Sequence, residues 1–276
     1  MFSYLKSTIL SKVVMAVTGV ILVLFLLGHT IGNLQVFLGR EVLNTYAHFL
    51  QSAAEVLWIV RIVLIVSVIL HIITSVKLKL DNLQSKPVKY QVKRYAKAKL
   101  TSRTMIWTGI MIGCFVAYHL LHFTFGVIDA KNYGRTDYYE KEAGYYMKNP
   151  FEGMMNQKFD AMKDKNSSAD GIIEFDKNIY IQSPHAKVLF ERADTYYMMI
   201  KGFQNPLISI LYIIAVILVG FHLNHAIQSA FQTLGFNHPR YFPKIVKGST
   251  LLSLFITLAL ISIPITIMFK LVGGGL

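Results

Sequence analysis

Two histidine doublets lie inside apolar runs. His222 and His225 are three residues apart in GFHLNHAIQSAF, and His119 and His122 have the same spacing in AYHLLHFTFG. Two further apolar runs hold His29 (FLLGHTIGN) and His71 (VILHIITS). An imidazole in hydrocarbon is costly. Its ordinary uses there are ligation of a metal or cofactor, a hydrogen bond between helices, or a step in a proton or ion path. The chain's single cysteine, Cys114, excludes a disulfide framework, a zinc ribbon and a cysteine-ligated iron–sulfur cluster. No C-x-x-C-H occurs, which excludes covalent c-type haem attachment.

These histidines must be positioned by the apolar blocks that contain them. The 276 residues are 54% hydrophobic, and the apolar residues fall in five long blocks, so the chain reads as an integral membrane protein. The blocks run over about 13–38, 56–76, 104–128, 206–231 and 245–269. Each approaches or exceeds the ~20 residues that cross a bilayer. The first is too long for a signal-peptide apolar region of ~7–15 residues and reads as a retained helix. The fold class is therefore all-α, with five transmembrane helices in one membrane domain.

Charge sets an expected orientation. The net charge is +13, and much of the excess lies between the second and third blocks, where Lys77 to Arg103 holds nine Lys or Arg and one Asp. Lys6 and Lys12 flank the first block, and Arg240, Lys244 and Lys247 lie between the fourth and fifth. Short basic loops stay in the cytoplasm, which puts the N-terminus inside and the C-terminus outside. The basic balance is thus membrane anchoring, with no nucleic-acid partner implied. The connection 129–201 has eleven basic and twelve acidic residues and is a long extracytoplasmic insertion, of a length that suits a small folded unit. Asn205 and Pro206 read as the cap and first turn of the fourth helix.

Counting from each point of membrane entry gives the depth of each histidine. His29 and His119 lie about 17 residues, or ~25 Å, from the inner entry of the first and third helices, hence in the outer half. His71 and His222 lie about 16 and 17 residues from the outer entry of the second and fourth, hence in the inner half. Helices one to four thus form a bundle with two depth-matched pairs, an arrangement that suits two stacked metal cofactors, such as haems with two axial imidazoles each, and whose main rival is a polar cluster in a proton or ion path. His122 and His225 are alternates, ~4.5 Å away along their helices, and depth favours His119 and His222. Gly28, Gly32, Gly113 and Gly220 could admit a flat macrocycle, or serve close helix packing as in Gly109-x-x-x-Gly113.

In FLLGHTIGNLQVFLG, NTYAHFLQSA, VILHIITS, CFVAYHLLHF and GFHLNHAIQSAFQTLGFNHP the chain resembles a known family. This is the cytochrome b membrane-anchor family of succinate dehydrogenases and fumarate reductases, in its single-chain, five-helix, two-haem, menaquinone-linked class. The resemblance covers the five helices and little of 129–201. It implies haem b irons held by His29 with His119 (outer) and by His71 with His222 (inner). It implies a flavoprotein and an iron–sulfur subunit on the cytoplasmic side of a bacterial inner membrane, and a place in the respiratory chain and tricarboxylic acid cycle. Enzymatically, the chain would be the non-flavin subunit, passing electrons between the iron–sulfur subunit and menaquinone. One position departs: some two-haem members carry a glutamate two residues before the fourth-helix histidine, and here that residue is Gly220. The resemblance therefore does not extend to a proton route of that kind.

A quinone needs an apolar slot with a few polar groups. Asn33, Gln35, His48 and Gln51 are the polar candidates near the outer pair, and Arg61 is a candidate partner for a haem propionate or for lipid headgroups. Two other readings fit the same residues. One is a two-haem anchor for another dehydrogenase or a hydrogenase. The other is a histidine-containing proton or ion transporter without haem.

Overall fold

The computed structural model describes residues 7–85, 100–141, 172–176, 179–182 and 187–275. Residues 86–99 of the basic connection and 142–171 of the insertion lie outside the described residues. Five helices are long and apolar enough to cross a membrane, so the chain has the form of a multi-pass membrane protein.

The first, α1 (Thr8–Leu34), starts where Ser7 accepts a hydrogen bond from Leu10 N at 3.5 Å. It tightens into a 3-10 turn, Gln35–Leu38. Gly39, at φ +99°, then redirects the chain into α2 (Arg40–Ser52), and only glycine takes that angle without strain. α2 is amphipathic and falls in what the sequence presents merely as the first connection.

The second spanning helix, α3 (Ala54–Gln84), outruns its apolar block by about two turns. Lys77 pairs with Asp81 at 3.2 Å along the same helix and donates to Ser11 Oγ of α1 at 3.0 Å. A short helical turn, α4 (Leu100–Arg103), precedes α5 (Met105–His119). α5 then widens into a π-helical turn over Leu120–Thr124, closed by Phe125 N donating to Leu120 O at 2.8 Å.

After the insertion, α6 (Thr195–Gln204) leads into α7 (Pro206–Thr233). Asn205 caps α7 by accepting from Leu207 N at 3.0 Å, and Pro206 occupies the first turn, where its missing N–H costs nothing. The last helix, α8 (Phe242–Met268), continues through Pro264.

α1 packs on α3, α7 and α8, and α7 packs on α5 and α8. The four histidine-bearing helices therefore follow one another as α3, α1, α7, α5, with no extensive contact between α3 and α5 among the described residues. At one end a dense cluster joins the 3-10 turn, α2, α6, α7 and α8 through Val36, Leu43, Met199, Ile200, Tyr212 and Ile267. Nearer the other end, Leu223, Ile227 and Ile256 join α7 to α8, with Leu26 and Leu27 of α1 against them.

Residues 134–194 form a second compact unit. Its strands β1 (Thr136–Lys141), β2 (Ile172–Asp176), β3 (Ile179–Gln182) and β4 (Lys187–Ala193) make an antiparallel sheet in the order β1-β4-β3-β2. Asp137 and Arg192 face each other across β1 and β4, and their buried ion pair closes at 2.8 Å. The membrane part is helical as its composition dictates, and this sheet is the element that an all-α description leaves out.

Candidate functional site

The site consists of four imidazoles at two levels of the bundle. His29 of α1 and His119 of α5 lie side by side, their ring centroids 5.7 Å apart and their planes nearly perpendicular at 86°. His71 of α3 and His222 of α7 are within electrostatic reach of each other. All four side chains are half-buried.

At the His71/His222 level each ring is seated on a neighbouring helix. Thr18 Oγ1 of α1 lies 3.3 Å from His71 Nδ1, and Thr108 Oγ1 of α5 lies 3.1 Å from His222 Nδ1. Each threonine is followed by a glycine. A Cβ placed on Gly19 would stand 3.5 Å from His71 Cε1, and one on Gly109 would stand 3.5 Å from His222 Cε1. The two seats are alike in sequence as well. His29 follows Thr18 by eleven residues, and His119 follows Thr108 by eleven. Eleven residues make three turns plus about 20°, so α1 and α5 each present a seat and a histidine on one face, ~16 Å apart.

The other level is built from aromatic rings. His29 stacks on Phe25 at 5.5 Å, and His119 contacts Phe115, Phe123 and Tyr212. The Tyr212 hydroxyl lies 3.4 Å from His119 Nδ1 and 3.0 Å from His122 Nδ1. His122, carried by the π-helical turn, is 2% exposed and stacks on Phe123 at 4.0 Å. Its Nε2 has no hydrogen-bond partner among the described residues. Within the doublet, His119 is thus the ring beside His29, while His122 is enclosed against Tyr212. In the other doublet His222 sits on Thr108, and His225 is half-buried one turn further along.

The glycines divide by what surrounds them. A Cβ on Gly28 or Gly113 would meet nothing within 4 Å. One on Gly32 would press on Tyr46 at 2.8 Å, and one on Gly220 would collide with Thr257 Oγ1 at 2.2 Å. Gly32 and Gly220 therefore serve close packing, whereas Gly28 and Gly113 leave space beside the histidine-bearing helices.

The quinone candidates Asn33, Gln35, His48 and Gln51 lie on three successive elements: α1, the 3-10 turn and α2. Asn33 Nδ2 is committed to His29 O at 2.7 Å, His48 is half-buried, and Gln51 is exposed. Arg61 is exposed on α3, its guanidinium 5.0 Å from the centre of the Trp58 ring. Asn44, which the sequence does not single out, is fully buried and accepts from Tyr196 N at 2.9 Å, capping α6 from α2. Thr18, Thr108 and Tyr212 also escape a histidine-centred reading. The repeated Thr-Gly with a histidine eleven residues after its threonine is the signal that could have found the first two.

No family model, curated protein or solved structure matches the chain. Donor chemistry therefore carries the functional reading. Among the described residues no group of three or more His, Cys, Asp or Glu could hold a metal ion. Two imidazoles per level suit an iron whose other ligands come from a macrocycle. His29 and His119, whose ring centroids are 5.7 Å apart, are the two imidazoles that would hold such an iron at one level. Gly28 and Gly113 have open space beside them, and α3 and α5 make no extensive contact among the described residues. The residues present fit haem.

Proposed function

We propose that the chain is the membrane-anchoring di-haem cytochrome b subunit of a succinate:quinone oxidoreductase, a succinate dehydrogenase or fumarate reductase. Its partners would be a flavoprotein and an iron–sulfur subunit on the cytoplasmic face. The observation that carries the reading is the placement of one imidazole from each of α1, α3, α5 and α7 at two levels, with His29 beside His119. Bound haem b at each level would supply one-electron transfer between the iron–sulfur subunit and menaquinone. His29 and His119 would hold one iron, and His71 and His222 the other. Gly28 and Gly113 keep the neighbouring backbone clear. The aromatic rings around His119 exclude water from that level, and Asn33, Gln35, His48 and Gln51 offer donors and acceptors for quinone carbonyls at the same end. We read the membrane as a bacterial inner membrane with the N-terminus in the cytoplasm; the basic connections support that orientation.

A reduced-minus-oxidised spectrum of the purified protein, with a haem-to-chain ratio, tests this. A ratio near two with a copurifying flavoprotein is expected. Two haems without a flavoprotein would assign the chain to another dehydrogenase or a hydrogenase, and no haem would leave the transporter reading.

A further inference from the structure

We propose that Thr18 and Thr108 are positioning residues that hold His71 and His222 as Nδ1–H tautomers and so turn the Nε2 lone pair of each toward its metal. The inference rests on the haem reading above. The single proton of each threonine hydroxyl decides the direction of the contact. Thr18 Oγ1 donates to Val14 O at 2.7 Å, with Met15 O at 3.1 Å, and Thr108 Oγ1 donates to Met105 O at 3.0 Å. Once that proton is committed to the helix's own carbonyl, the oxygen can only accept. The contacts to His71 Nδ1 at 3.3 Å and His222 Nδ1 at 3.1 Å must then run from the imidazole N–H to the threonine. A neutral imidazole that donates from Nδ1 carries its lone pair on Nε2, the usual state of a metal-bound histidine steadied by a hydrogen bond behind it. Both threonines are buried, at 5% and 8% exposure, so water does not compete for the bond.

Gly19 and Gly109 complete each seat. An added Cβ would lie 3.5 Å from the ring edge, in ordinary van der Waals contact, so each imidazole rests close along the neighbouring helix. The arrangement occurs twice, on α1 for His71 and on α5 for His222, with the same eleven-residue spacing from threonine to the next histidine. Two independent helices thus use one device for the two ligands of one level.

The test uses the full chain in native membranes with Thr18→Val, Thr108→Val and the conservative Thr18→Ser and Thr108→Ser. Valine keeps the shape and removes the hydroxyl acceptor; His71 retains a backbone contact to Met15 O, so Thr108→Val should have the larger effect. A weaker hydrogen bond behind the ring lowers imidazole basicity, so the midpoint potential of the haem on His71 and His222 should rise. Its low-spin EPR signal should shift with it. The haem on His29 and His119 should keep both properties, and serine should restore the wild-type values. Wild-type protein with two haems whose potentials and EPR signals are untouched by both valine variants would overturn the proposal and leave the haem reading standing. Wild-type protein without haem would overturn both. A valine variant that loses only the His71/His222 haem, with serine restoring it, supports the seat.

Discussion

The two histidine levels present the same side-chain type, a pair of imidazoles, in unlike surroundings. At one, His71 and His222 each rest on a Thr-Gly pair of a neighbouring helix, held by hydrogen bonds of 3.3 and 3.1 Å. At the other, His29 makes ring contacts with Phe25 and His119, while His119 shares the Tyr212 hydroxyl with His122. The first level is positioned by small residues whose hydroxyl protons are already spent on their own helix. The second is positioned by bulk and by a single phenol serving two rings. If both levels hold haem as proposed, imidazole would serve both, and a difference in potential between them would come from hydrogen bonding, burial and packing around the histidines.

The largest effect should come from removing a ligand. His222→Leu or His71→Leu should lower the haem-to-chain ratio from two to one, with the loss confined to one component of the redox titration. His29→Leu or His119→Leu should remove the other component. If His71→Leu and His29→Leu deplete the same component, the division into two levels is wrong. His122→Leu should retain both haems, because His122 is enclosed against Tyr212 while His119 is the ring next to His29.

Tyr212→Phe should act next most strongly, and at one level only. It strips His122 Nδ1 of its partner in a ring that is 2% exposed and whose Nε2 already lacks one among the described residues. Leaving such a group unsatisfied costs about 1–3 kcal/mol. Thermal unfolding in detergent should show that loss, and the haem on His29 and His119 should shift while the other does not. A uniform shift of both haems would mean that Tyr212 acts on the bundle as a whole.

The legible part of this architecture is the part governed by hydropathy and rise per residue. Apolar blocks end at charges, and 1.5 Å per residue then fixes depth, which is why the amino-acid sequence alone puts His29 and His119 at one level. Asn205 and Pro206 are legible for a similar reason, since cap chemistry is local. Thr18 and Thr108 are not. A threonine inside a membrane helix ordinarily satisfies its own backbone, and both do; the second contact, to a ring 53 and 114 residues away, depends on which helices meet. Tyr212 is tied to His119 across 93 residues for the same reason. α2 is hidden because its apolar face is too short to register as a block, although it carries the buried Asn44. The sheet of 134–194 is hidden because its strands are short and rich in charge, so its pairing is a matter of register and of one buried Asp137–Arg192 contact.

A packing change that favours neither level sharpens the comparison from the other side. Gly220→Ala puts a methyl 2.2 Å from Thr257 Oγ1, so α7 and α8 must separate or Thr257 must rotate away from Ser253 O, to which it donates at 2.7 Å. Overpacking of this kind costs typically about 1–3 kcal/mol. The melting temperature should fall and, on the haem proposal, both haems should be retained with their potentials moved little, because α8 carries none of the four histidines. A selective loss of the His71/His222 haem would show instead that the α7–α8 contact helps to aim His222.

The smallest effect is expected at Arg61. Its charge could have served a haem propionate, yet its guanidinium lies over Trp58 at 5.0 Å on the exposed side of α3. An exposed contact of this type is worth about 0.5–1 kcal/mol. Arg61→Gln should therefore lower stability slightly and leave both haem potentials where they are. Losing a cation from a propionate would do something different, since an uncompensated carboxylate near one iron favours its ferric state and lowers that potential alone. A downward shift confined to the His29/His119 haem would move Arg61 from the lipid-facing surface into the cofactor's surroundings and give that level a charged partner that the other lacks.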